Sequence, residues 1–234
     1  MTPVRIRYRF VLPDGRRESF DLTFDPQDFH LLNPHPPELP FWTALDCKQC
    51  ENCPLKVESH PHCPVAVHLV AVIERLERLV SYDQVRIDVL TAERTVTHET
   101  TAQQALSSLL GLIIATSGCP RTEFLRPMAR FHLPFASEAE TLYRSVTMYA
   151  LAELIKAGSG AAPDASLEGL KRAYAELHRV NRGLSRRIGA ATGGDPARNA
   201  VALLDAYTTL LPNAIEQALA DMRPLFGALL GSER

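Results

Sequence analysis

The chain has 234 residues, 46% of them hydrophobic, and 25 basic against 27 acidic side chains give a formal net charge of −2. Such a composition can fill a globular core and excludes a fibre or a disordered tail, and the near-neutral balance supplies no chain-wide field for nucleic acid or anionic membrane. Five cysteines in a chain of this length do not make a small secreted disulfide scaffold.

The first residues alternate charged and apolar side chains, where an export signal needs a continuous apolar run, and no later segment is apolar for long enough to span a bilayer. The expectation is a cytoplasmic protein. Val4, Ile6, Tyr8, Phe10 and Leu12 recur with period two, and Phe20, Leu22 and Phe24 repeat it after Pro13, Asp14 and Gly15, which predicts a β-hairpin. Arg5, Arg7 and Arg9 then fall on its solvated face. From Asp25 to Pro40 the chain is rich in Pro, His and Asn and reads as an irregular connection that leads into the cysteines.

After Pro64 a helix is predicted with Leu69, Val72, Ile73, Leu76 and Val80 on its buried side. Strands follow over 82–90 and 94–99. Thr101 and Gln104 have capping-box spacing ahead of a helix through Leu106, Leu110 and Ile114, and Ser137 and Glu140 have it ahead of a helix that ends before Gly158. Beyond Ser166, positions Leu167, Leu170, Tyr174, Leu177, Asn181, Leu184 and Ile188 step by three and four, a heptad seam with one Asn in its row. The seam serves either an intramolecular bundle or a homodimer through the carboxy-terminal helices. Pro196 and Pro212 each suit the start of a further helix.

The fold class expected is α+β: a small, mostly antiparallel sheet of about four strands packed with a helical, bundle-like carboxy-terminal region. The domains expected are an α+β metal-binding part over 1–158 with a cysteine-rich loop at 46–64, a linker over 159–165, and a helical region over 166–234.

Chemistry concentrates at Cys47, Cys50, Cys53 and Cys63, a C-x2-C-x2-C-x9-C run. Three thiolates in two overlapping C-x-x-C steps form one edge of a metal centre, with Cys63 as the fourth ligand and Cys119, also followed by proline, as the long-range competitor. Pro64 and Pro120 place Cys63 and Cys119 at the starts of predicted helices, where the dipole favours a thiolate. The first three cysteines resemble the C-x2-C-x2-C part of a bacterial ferredoxin motif, although the next cysteine follows after nine residues here rather than three. That resemblance covers only this stretch. It implies a [4Fe-4S] cluster with a redox, electron-transfer or redox-sensing role and a protein redox partner. The alternative is Zn2+, held by four ligands drawn from Cys47, Cys50, Cys53, Cys63, His60 and His62, stabilising an interaction module. A third reading makes Cys119 the nucleophile of a thiol enzyme, with His132 as base and Glu123 or Glu138 orienting it.

The segment Arg126 to Phe135 packs two arginines, a histidine and two phenylalanines beside the Cys119 turn. It reads as the rim of an anion or cofactor pocket, or as a packed loop with its cations in water. Arg179, Arg182, Arg186 and Arg187 line one helix, but acidic neighbours and the lack of interleaved aromatics argue against nucleic acid.

Overall fold

The computed structural model describes residues 2–191 and 195–231. Strands β1 (Val4–Val11), β2 (Arg17–Phe24), β3 (Gln84–Leu90) and β4 (Thr95–Thr101) form one four-stranded antiparallel sheet in the order β2-β1-β3-β4. Period two decides its faces. Ile6, Tyr8 and Phe10 are buried while Arg5, Arg7 and Arg9 are exposed, and Arg7 pairs with Asp21 directly across the ladder. The hairpin closes through Gly15, whose φ of 82° suits a residue without Cβ. Tyr8 sits opposite Phe20 on one side and Val89 on the other, at the centre of the buried face.

The Pro- and His-rich connection is irregular, as its composition dictates, but it is pinned to the sheet. Asp25 Oδ1 accepts from the backbone N–H groups of Gln27 and Asp28, and the Phe29 ring stacks on Phe24 at 4.4 Å. Trp42 is buried at the entry to the cysteine loop.

Helix α1 (Pro64–Leu76) starts with proline at its first turn and buries Leu69, Val72, Ile73 and Leu76. Val80, expected on that face, lies beyond the helix and is exposed. Helix α2 (Ala102–Thr116) is buried nearly all round, because it is covered by the sheet and α1 as well as by a later helix. Its expected capping box is absent: Thr101 makes no side-chain cap, and Gln104 Oε1 instead accepts from the Thr100 hydroxyl. A short helix α3 (Arg126–Arg130) precedes α4 (Glu138–Ala157), whose Ser137–Glu140 capping box is complete.

Helices α5 (Glu168–Ala191) and α6 (Pro196–Met222) pack along each other and close over α2. The heptad seam of α5 is therefore occupied within the chain: Leu170, Tyr174, Leu177, Leu184 and Ile188 are all buried in the bundle. Pro212 does not begin a helix. It lies inside α6, which runs on through it at the loss of one backbone hydrogen bond. The expected end of the helical region at residue 234 lies outside the described residues. Among those described, no helix is long and apolar enough to cross a membrane.

Candidate functional site

The cysteine loop is built by backbone turns and by one buried cation. Cys47 N–H donates to Ala44 O at 3.1 Å and Cys53 N–H to Cys50 O at 3.0 Å, while Cys63 N–H donates to Thr43 O at 2.8 Å. Arg187 of α5, 1% exposed, anchors the loop entry through Nη1 to the carbonyls of Trp42 and Ala44 and through Nη2 to that of Leu45. Arg121 Nε donates to Asn52 O at 2.8 Å, and Asn52 Nδ2 donates to Glu176 O at 2.9 Å. The loop thus bridges the Cys119 turn and α5.

This arrangement overturns the metal centre expected from the spacing. Among the described residues no group of three or more His, Cys, Asp or Glu side chains could hold a metal ion. Cys47, Cys50, Cys53, Cys63 and Cys119 are free thiols, and the [4Fe-4S] cluster, the Zn2+ alternative and the redox role that rested on them are corrected accordingly. The physical reason lies in where the thiols are held. Cys50 Sγ reaches Val180 O at 3.8 Å and packs so closely on α5 that a Cβ on Gly183 would lie 2.4 Å from it. Burial, with smaller contributions from Cys63, Cys119 and Cys53, pushes the Cys50 thiol up to about 12. Burial likewise pushes Cys119 up to about 11, against the lowering effect of the Arg121 backbone N–H. Both sulfurs are protonated and held in packed surroundings. His60 bonds Ser59 and His62 bonds Thr43.

The thiol-enzyme reading fails on the same geometry. Pro120 opens a turn rather than a helix, so Cys119 gains no helix dipole. His132, its expected base, is turned the other way: Nε2 lies 2.5 Å from the Tyr8 hydroxyl. Glu123 is engaged by Arg126.

The fold does form a partly open cavity of about 330 Å³ between α2, α3, α4, α5 and α6. Its volume falls at the lower end of the ~300–1,000 Å³ typical of small-molecule sites. Leu112, Leu125, Met128, Phe135, Leu177 and Leu204 give it a largely apolar wall, interrupted by Ser108, His132, Arg144 and Asn181. The 126–135 segment contributes Met128, Ala129, His132, Leu133 and Phe135 to this wall. Its arginines do not line the cavity: Arg126 pairs with Glu123 and Asp28, and the exposed Arg130 lies over the rings of Phe29 and Phe131.

Tyr8 connects the sheet to this cavity. Its hydroxyl lies 3.0 Å from Ser108 Oγ as well as 2.5 Å from His132 Nε2. Burial raises the Tyr8 pKa and, helped by the Arg144 charge, pushes His132 down to about 3, so both are neutral. The Tyr8 hydroxyl also lies 3.2 Å from Ser108 O, so Tyr8, Ser108 and His132 form one hydrogen-bonded cluster.

Two further cavity groups carry unused hydrogen-bonding capacity. Asn181 is 2% exposed, yet its side chain has no hydrogen-bond partner among the described residues. Arg144 uses only Nη2, which donates to Met128 O at 2.6 Å and Phe131 O at 2.9 Å. Sequence reasoning takes Asn181 for a register-setting seam residue and passes over Arg144 and Tyr8. The one signal in the chain is the polar break at Asn181 in an otherwise apolar and aromatic row.

No curated protein and no solved structure is matched by this chain. A family model described as "Domain of unknown function (DUF6901)" matches residues 6–227, across both the sheet and the helices that close the cavity. The chain therefore belongs to the DUF6901 family.

Proposed function

We propose that the protein binds a small, mostly apolar molecule in the cavity, with Asn181 reading a polar group on it. Asn181 carries this reading. Its amide lines the cavity and makes no hydrogen bond to the protein among the described residues, so its donor and acceptor groups are free for a ligand. A ligand hydroxyl or carbonyl satisfies the amide, and the surrounding leucine, methionine and phenylalanine side chains supply the apolar contact. The helical region beyond residue 166 serves in this reading as the wall that completes the site, through Leu177, Asn181 and Leu204.

The test uses N-phenylnaphthylamine, a neutral dye whose emission rises and shifts to the blue in apolar surroundings. Wild-type protein gives a saturable signal that octanol displaces. Ser107→Phe, which puts a ring into the cavity wall, abolishes the signal while far-ultraviolet circular dichroism stays unchanged. Dye binding that ignores this substitution places the apolar site elsewhere and overturns the proposal.

A further inference from the structure

Resting on the cavity as a binding site, we infer that its ligand is an amphiphile with an anionic head, a carboxylate or its equivalent, held by Arg144 at one end of the site. Three observations lead there. First, Arg144 is the only Lys or Arg in the cavity wall, and no Asp or Glu lines that wall among the described residues. Second, no carboxylate oxygen lies within 4.0 Å of the guanidinium among the described residues, and the nearby Glu140 is engaged by Ser137 in the α4 capping box. Third, the guanidinium is already oriented. Both Nη2 protons go to the carbonyls of Met128 and Phe131 at the end of α3, which leaves Nε and Nη1 as unused donors.

An arginine stays charged under these conditions; Glu140 offsets the Arg144 charge at a distance, but no carboxylate is in contact with the partly desolvated guanidinium. An anionic head removes that deficit and takes charge-assisted hydrogen bonds from a fork fixed in advance. His132, on the same wall, is neutral and adds no charge to compete with Arg144.

The site also has a length. Tyr174 stands beside Arg144, since its hydroxyl touches Ser145 Oγ at 2.6 Å and both side chains contact Met128. Asn181 lies two turns further along the same face of α5, ~10 Å away at 1.5 Å per residue. The head group at Arg144 and the polar group at Asn181 are therefore opposite ends of one elongated ligand, with the apolar body between them.

The experiment compares octanoate, octanol and octylammonium as displacers of N-phenylnaphthylamine, against wild type and Arg144→Met. In wild type octanoate displaces the dye at a concentration about tenfold lower than octanol, the effect of one charge-assisted bond, and octylammonium is the weakest. Arg144→Met removes the advantage of octanoate over octanol, and far-ultraviolet circular dichroism of the variant certifies its fold. Equal displacement by octanoate and octanol in wild type overturns the anionic head while leaving the cavity reading intact. Dye that binds nowhere in wild type overturns both. Should Arg144→Met fail to fold, the three wild-type displacement curves decide the matter alone.

Discussion

The Tyr8 hydroxyl lies 2.5 Å from His132 Nε2, which joins the central buried face of the sheet to the wall of the cavity 124 residues later in the chain. Both groups are desolvated and neutral, and the bond between them holds the loop after α3 against β1 of the sheet. Tyr8→Phe keeps the ring but leaves His132 Nε2 without its partner. The expected cost is about 1–3 kcal/mol in chemical denaturation, together with weaker dye binding as the His132 ring loses its fixed orientation. A variant as stable as wild type would show that this bond contributes nothing.

Acid should destabilise the fold well before carboxylates titrate. Desolvation, with the Arg144 charge, pushes His132 down to about 3, and desolvation, with His30 and His35, pushes the half-buried His68 down to about 4. The unfolded chain takes up protons at these histidines near 6.5 while the folded chain does not, so stability is complete above that value and falls as pH drops towards 4. Each histidine contributes about 1–2 kcal/mol to this loss by pH 5. Urea midpoints measured from pH 7 to pH 5 should fall, and His68→Leu should flatten the fall.

At Gly183 an added Cβ would lie 2.4 Å from Cys50 Sγ and 3.2 Å from Cys50 Cα, so the loop backbone itself must move. Gly183→Ala should therefore destabilise by about 1–3 kcal/mol, despite alanine's better helix propensity. Cys50→Ala in the same chain should recover part of the loss, since it removes the nearest atom. Additive effects in the double variant would contradict direct contact between the two positions.

Alkylation should separate the cysteines by ionisation. Cys50 and Cys119, pushed up to about 12 and about 11, stay protonated in the native protein at pH 8, and iodoacetamide should modify them only slowly until the protein is denatured. The raised thiols also contribute stability that is complete below about 9 and is lost as pH rises further, because the unfolded chain releases these protons first. Rapid native labelling of either cysteine at pH 8, resolved by peptide mass analysis, would contradict their burial.

The strands are legible in the sequence because β1 and the stretch from Phe20 to Phe24 keep period two without interruption, and the start of α4 because Ser137 and Glu140 satisfy each other locally. Legibility ends where distant partners decide. Spacing at Cys47, Cys50 and Cys53 identifies three soft ligands but not where each sulfur is held, and contact with Gly183, far along the chain, holds Cys50 against α5. Thr101 matches the capping-box pattern, but Gln104 takes the hydroxyl of Thr100 instead. Pro212 resembles a helix start, but packing against the bundle carries α6 through it. Asn181 is visible as a polar break in the seam; that it meets a cavity depends on α2, α3 and α6 together.

The most direct measurement is octanol binding to wild type and to Asn181→Leu, followed by dye displacement, with thermal denaturation of both proteins without ligand. Leucine preserves volume and removes the unpartnered amide, so the variant should melt at the same temperature or higher while binding octanol about fivefold more weakly, the loss of one neutral hydrogen bond. Octanoate, with its head at Arg144, should bind the variant as well as it binds wild type. Unchanged octanol affinity in a folded Asn181→Leu protein would contradict the account, because the amide would then have no part in recognising a ligand.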